Sequence, residues 1–418
     1  MASFRFLHCA DLHIDSPLRG LEADPDAPAA RIRAATRDAF IALIDYAIAQ
    51  NVAFVLAAGD LYDGEWQDWR TVQFLIAQLG RLARATPPIP FIAIRGNHDA
   101  ESVITRRLDL PKPARLLNAT RPETITLPEL GVRIHGQSFR AREVTDNLAA
   151  GYPAADPGML DIGLLHTSVD GREGHASYAP CTVQQLRDHG YAYWALGHVH
   201  TREVLWENPW IVFPGNTQGR HARETGAKGA TLVTVQDHRI TTVEPITFDT
   251  VRWAQVAVPL DGVSDEDTAF ALARSHLSDA LAQAEGRLLA ARILLTGATP
   301  AHTALNRDTG ATREKIKAEA AGLAGIDELW IESVAVSVTQ PRTSDLPPGR
   351  LSPELDRITT ADLRAAAARY SRDLLDKANA LREALGEDHP AVAAARDELP
   401  DRLVERARAL LRARLEEA

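Results

Sequence analysis

Cysteine is scarce in this chain of 418 residues; Cys9 and Cys181 are the only two. Two thiols cannot build a disulfide framework, which fits a reducing, cytoplasmic setting. They are also too few for a thiolate metal site, so any metal must be held by histidine and carboxylate. Long hydrophobic runs are missing as well. No stretch reaches the roughly 18 to 20 apolar residues that a membrane helix needs. The opening MASFRFLHCADLHID has no charged segment followed by a long apolar one, and it reads as a first strand rather than an export signal. The third shortage is of positive charge. Lys and Arg number 46 against 56 Asp and Glu, a net charge of −10. Such a chain does not draw nucleic acid through its overall field, so any attraction is local or supplied by a partner. Arg95, Arg106, Arg107, Lys112, Arg115, Arg121, Arg133, Arg140 and Arg142 form one locally basic stretch. It reads equally as a phosphate track or as solvated loop charge.

What the chain has is alternation. Over residues 1–248, apolar runs of strand length alternate with helical patterns, the first helix expected from Pro28 to about Gln50 and the second from Trp66 to Ala85. Strand, helix, strand, helix, strand predicts parallel pairing with right-handed crossovers. After Arg202 the runs REVLW, WIVF, ATLVTV and RITTVEPI predict an antiparallel set closing a second sheet. The fold class is therefore α/β, a two-layer sandwich flanked by helices. Residues 249–341 repeat the alternation on a smaller scale and predict a small α+β domain. A Pro/Gly-rich break at 343–349 opens the final part, 342–418, which is linker and amphipathic helical tail. The apolar stripes Leu374, Ala378, Leu381, Leu385 and Leu403, Val404, Ala407, Leu410, Leu411 need cover, with Gly386 and Pro390 as punctuation between them. The chain's own body, a second copy in a homodimer, or a docking partner would each supply that cover.

Five short polar motifs each follow an apolar run: Asp11-Leu12-His13, Gly59-Asp60, Gly96-Asn97-His98-Asp99, His166, and Gly197-His198-Val199-His200. Alone, each has an ordinary explanation: a surface triplet, a helix cap, a polar turn, a satisfied histidine. Together they deliver Asp, His and Asn to the carboxyl ends of five strands, where α/β sheets bind ligands. In extended chain, residues two apart share a face, so Asp11 with His13, and His198 with His200, can reach one ion. Asp60 has two carboxylate oxygens and can bridge two cations. One site is then Asp11, His13, Asp60 and His200, and the other Asp60, Asn97, His166 and His198. Mixed O/N donors suit Mn²⁺, Fe and Zn²⁺ alike. His98 is left for chemistry, with Asp99 as the group that holds its ring. Two divalent cations, two carboxylates and a bridging hydroxide carry about one positive charge in total, an anion site suited to phosphate.

The longer strings HCADLHIDSPLRGL, AGDLYDG, IRGNHD, LLHTSVDGREGHASYAPCT, GYAYWALGHVH and FPGNTQGRH narrow the choice. They resemble the calcineurin-like metallophosphoesterases, and within them the bacterial SbcD-like DNA repair exonucleases of the YhaO type. The resemblance implies Mn²⁺-dependent hydrolysis of DNA phosphodiesters. It carries Asp11, His13, Asp60, Asn97, His166, His198 and His200 over as metal ligands and His98 as the catalytic histidine. It also implies a capping domain at about 249–341 and an SMC-like ATPase partner held through helices beyond it. Asp63 stands where some relatives carry a histidine, which gives it a supporting role. Arg220 and His221 follow a glycine-rich turn, where they touch phosphate or make structural hydrogen bonds. A cyclic-nucleotide or small-phosphoester hydrolase would use the same ligands, and a scaffold subunit would use the tail.

Overall fold

In the first strand, β1 (Phe4–Cys9), alternate side chains enter different cores. Phe6 packs with Phe54, Leu56, Ile92, Ile134, Ile162 and Tyr193. Leu7 and Cys9 join Phe40, Leu43, Val55, Leu75 and Phe91 instead. A strand covered on both faces requires such two-sided burial. The computed structural model describes residues 3–18, 27–63, 69–101, 110–170, 178–341, 359–377 and 401–416. Arg106, Arg107, the 343–349 break, Ala378, Leu381, Leu385, Gly386 and Pro390 lie outside the described residues, as do parts of three of the longer strings (19–21, 64 and 171–177).

After β1 come helix α1 (Ala29–Ala49), strand β2 (Phe54–Ala58), helix α2 (Trp69–Ala83) and strand β3 (Phe91–Ile94). The buried positions of α1, from Ile32 through Ala35, Ala39, Phe40, Leu43 and Ala47, recur at helical spacing. As the alternation predicts, β1, β2 and β3 pair in parallel. A short helix α3 (Asn97–Glu101) is followed by β4 (Arg115–Leu116), β5 (Glu123–Leu127), β6 (Val132–Gly136), β7 (Leu160–His166), helix α4 (Val183–Asp188) and β8 (Tyr193–Gly197). Then come β9 (Glu203–Glu207), β10 (Trp210–Phe213), β11 (Gly229–Gln236) and β12 (Arg239–Thr247). The strands make two six-stranded sheets, ordered β12-β11-β1-β2-β3-β4 and β5-β6-β7-β8-β10-β9. The cluster around Phe6 is the layer between them, and α1 and α2 cover the outer face of the first sheet.

The four strands after Arg202 correct one expectation, because they do not form one antiparallel set. β9 and β10 complete the second sheet, with β10 parallel to β8, whereas β11 and β12 return to the first sheet, β11 antiparallel to β1. Short apolar runs reveal strand character but not which sheet edge they meet.

This part is one compact unit, residues 1–254 with 286–290; the second unit is 255–285 with 291–418. The third sheet is ordered β13 (Val251–Pro259), β14 (Leu288–Ala298), β15 (Leu329–Thr339). Helices α5 (Glu266–Gln283), α6 (His302–Arg307) and α7 (Thr309–Ala321) belong with it, α5 against α7 and α7 against β15. Of the tail, the helices Thr360–Lys377 and Asp401–Glu416 are described; they pack on each other, and the latter packs on α6. Ala368 and Val404 are buried there, so these two residues find cover within their own unit. No described helix is long and apolar enough to cross a membrane.

Candidate metal centre

The chain leaving β1 runs alongside the chain leaving β2. Asp11 N–H donates to Gly59 O, His13 N–H to Asp60 O and Ile14 N–H to Leu61 O, each at 3.0 Å. Asp11, His13 and Asp60 stand in the left-handed region at φ 50°, 42° and 52°, and His198 at φ 104°. The extended geometry expected for Asp11 and His13 is therefore replaced by tight left-handed turns, which cost a non-glycine residue about 1 to 2 kcal/mol each. Glycines let the strand ends close up. A Cβ on Gly59 would lie 2.6 Å from His166 Nδ1, and one on Gly96 would overlap the Asp60 carboxylate.

These turns gather the predicted residues. Asp60 Oδ2 lies 3.5 Å from His166 Nε2 and 3.9 Å from His13 Nε2, between the two groups of ligands. His200 Nε2 lies 3.3 Å from His13 Nε2 and 3.9 Å from Asp11 Oδ1. Asn97 Oδ1 is 2.9 Å from His166 Nε2. His198 donates its backbone N–H to Asp11, and its ring stands 5.3 Å from that of His166. Phe139 packs edge-on against His166, and Tyr178 edge-on against His198.

Proton positions follow from the outer partners. His13 Nδ1–H donates to Asp63 Oδ1 at 2.6 Å, His200 Nδ1–H to Glu224 Oε1 at 2.6 Å, and His166 Nδ1–H to Ala58 O at 2.8 Å. Burial drives all three imidazoles below the usual histidine range, His166 to about 3, so they are neutral. Each Nε2 then carries a lone pair. The His13 and His200 lone pairs face each other, and that of His166 faces the Asn97 carbonyl oxygen. Burial also pushes Asp11 and Asp60 above the ordinary carboxylate range, Asp11 further through repulsion from Asp60. Acceptors thus meet acceptors around a buried centre, and the missing component is positive charge. Asp11, His13 and His200 offer atoms within 4.8 Å of one another, as do Asp11, Asp60 and His166. The donors fit two divalent cations sharing Asp60.

His98 sits at the rim. Its backbone N–H donates to Asp60 Oδ1 at 3.0 Å, and its side chain is 38% exposed, unlike the buried groups behind it. The role expected of Asp99 is corrected. Its buried carboxylate accepts the backbone N–H groups of Leu61, Tyr62 and Gly96, tying the Asp60 turn to the Asn97 turn. The carboxylate facing the His98 ring is Asp63, Oδ1 to Nδ1 at 3.2 Å. Three cations of the basic stretch sit in local ion pairs, Arg115 with Glu123, Arg133 with Asp161 and Arg140 with Asp146. Glu224 was not foreseen. The turn after β10 returns it to His200, and only its position four residues after Arg220 hinted at a role.

A sequence profile described as calcineurin-like phosphoesterase matches residues 4–202, and one described as the middle domain of metallophosphoesterase YhaO matches 253–339. The chain is 34% identical over 304 residues to metallophosphoesterase YhaO of Bacillus subtilis, covering 72% of this chain and 73% of that one. It is 34% identical over 137 residues to a subunit of the nuclease SbcCD of Rhodobacter capsulatus, covering 32% of this chain and 27% of that one. It is 28% identical over 208 residues to DNA double-strand break repair protein Mre11 of Saccharolobus solfataricus, covering 47% and 50%. With a YhaO relative 34% identical over 73% of its own length and a YhaO profile matching 253–339, the chain belongs to the calcineurin-like metallophosphoesterases, in their YhaO-type group.

Proposed function

We infer that this protein is a Mn²⁺-dependent phosphodiesterase that cleaves DNA. The observation carrying the reading is the buried cluster of neutral histidines and carboxylates whose lone pairs converge on Asp60. Asp11, His13, Asp60 and His200 would hold one cation, and Asp60, Asn97, His166 and His198 the other. When bound, such a pair supplies a deprotonated water as nucleophile and an electrophilic clamp on phosphate. The chain does the rest. Asp60, fixed by the His98 backbone N–H, sets the spacing of the two halves. Phe139 and Tyr178 dry one wall. The exposed His98 ring, oriented through Nδ1 by Asp63, presents Nε2 outward to the phosphate and the leaving oxygen. The choice of DNA is supported by the relatives named for break repair and for a nuclease. The proposed division of labour is a nuclease domain at 1–248, a capping domain at 249–341 and a tail at 342–418 that holds a partner subunit.

The test is hydrolysis of DNA ends of defined structure by the purified chain with Mn²⁺. His98→Ala is expected to keep both metals and lose cleavage by about 10² to 10⁴-fold; full activity in a two-metal His98→Ala protein would remove His98 from the chemistry. The net charge of −10 favours a second reading, a small-phosphodiester hydrolase. Rapid turnover of small diesters with intact DNA would select it.

A further inference from the structure

The outer partners of His13 and His200 differ in kind from that of His166. In the His13/His200 half, both Nδ1 atoms are held by carboxylates, Asp63 and Glu224, at 2.6 Å. Arg220 lies between these carboxylates, its Nη2 3.1 Å from Glu224 Oε1 and its Nη1 3.6 Å from Asp63 Oδ1. Glu224 is fixed further by Asn216 Nδ2 at 2.9 Å and the Arg220 backbone N–H at 2.8 Å, both donating to Oε2. In the other half, the His166 Nδ1 partner is a neutral backbone carbonyl.

We propose that Asp63, Arg220 and Glu224 are positioning residues that make the His13/His200 half the tighter metal site, filled before the half formed by Asn97, His166 and His198. A carboxylate on Nδ1–H raises the basicity of Nε2, fixes the ring and commonly changes metal affinity by about 10- to 100-fold. Charge acts in the same direction. Asp11, Asp63 and Glu224, set against Arg220 and Lys228, leave this half one negative charge in excess. Asn97 and the neutral His166 imidazole bring none, and Asp60 is common to both. Arg220 has a defined part: its guanidinium offsets the repulsion between the two carboxylates, while Asn216 Nδ2 and the Arg220 backbone N–H hold Glu224 in place.

The inference rests on the two-cation reading of the centre, and its test separates the two. The full chain is stripped of metal and titrated with Mn²⁺, following heat and the Mn²⁺ paramagnetic resonance signal. Wild-type protein should bind two ions in resolved steps. Glu224→Gln keeps the shape and removes the charge; it should weaken the tight step by about 10-fold or more and leave the loose step nearly unchanged. Asn97→Ala should do the reverse. Asp63→Asn tests the same claim through His13 if Glu224→Gln fails to fold. Arg220→Lys should restore more of the tight step than Arg220→Ala. Two equal steps in the wild type, or a tight step that survives Glu224→Gln and Asp63→Asn but falls in Asn97→Ala, would overturn the proposal. A wild-type chain that binds fewer than two ions would instead overturn the two-cation reading.

Discussion

Strand β7 carries a buried ionisable residue near each end, and the two are treated in opposite ways. Near its start, Asp161 accepts from Arg133 Nε at 2.7 Å, His135 Nε2 at 2.8 Å and the Asp156 backbone N–H at 2.7 Å. His135 Nδ1 in turn accepts from Thr124 Oγ1 at 2.8 Å. Every acceptor there has a donor. At the other end, His166 Nε2 faces the Asn97 oxygen and the Asp60 carboxylate, acceptor against acceptor. Buried polar groups are satisfied almost without exception in folded proteins. The first end is therefore complete as it stands, and the second is complete only with something positive in it. A His–Asp–Arg cluster marks a functional centre when its groups fail to satisfy one another, not merely when they are buried together.

The sharpest way to break this contrast is to change Asp60. Asp60→Asn removes the charge shared by both halves; phosphodiester hydrolysis should fall by at least about 10³-fold and one bound Mn²⁺ should be lost. Metal counting with a turnover assay checks both, and an active two-metal Asp60→Asn protein would end the bridging role. The reciprocal change is at the complete end. Asp161→Ala removes the acceptor of buried His135 Nε2 and of Arg133 Nε, so stability should fall by about 2 to 3 kcal/mol while two Mn²⁺ still bind. Urea unfolding and a metal titration on the same protein read the two effects separately. The smallest effect is of pH. Asp161 would be raised by burial, but its bonds from Arg133 and His135 hold it below the ordinary carboxylate range. A depressed carboxylate contributes stability that is present above its unfolded pKa, about 4, and is lost as pH falls through the folded value. Metal-free wild type should thus lose more stability than Asp161→Asn as the pH falls below about 4.

The sequence displayed the candidate ligands clearly because each stands just after an apolar run, and a strand's end is a local property. Helices α1 and α2 were visible for the same reason. Associations made at a distance were not. The runs after Arg202 look alike, yet β9 and β10 join one sheet and β11 and β12 the other. Asp99 was expected on His98 because it is adjacent, but it is spent on three backbone N–H groups. Glu224 reaches His200 only because the intervening turn folds back, which no periodicity encodes. The left-handed turns at Asp11, His13, Asp60 and His198 were also hidden, since carboxylate and imidazole side chains give little sign of such backbone.

Those four turns have a consequence for how long the molecule lasts. Strain at the metal-binding edge must be carried by the surrounding hydrogen bonds, and with no cation the facing lone pairs add to the load. Local opening starts where the net holding energy is least. This edge should therefore be where amide protons exchange first and proteases cut first in a metal-starved cell. Metal supply would then govern the protein's abundance as well as its rate of turnover.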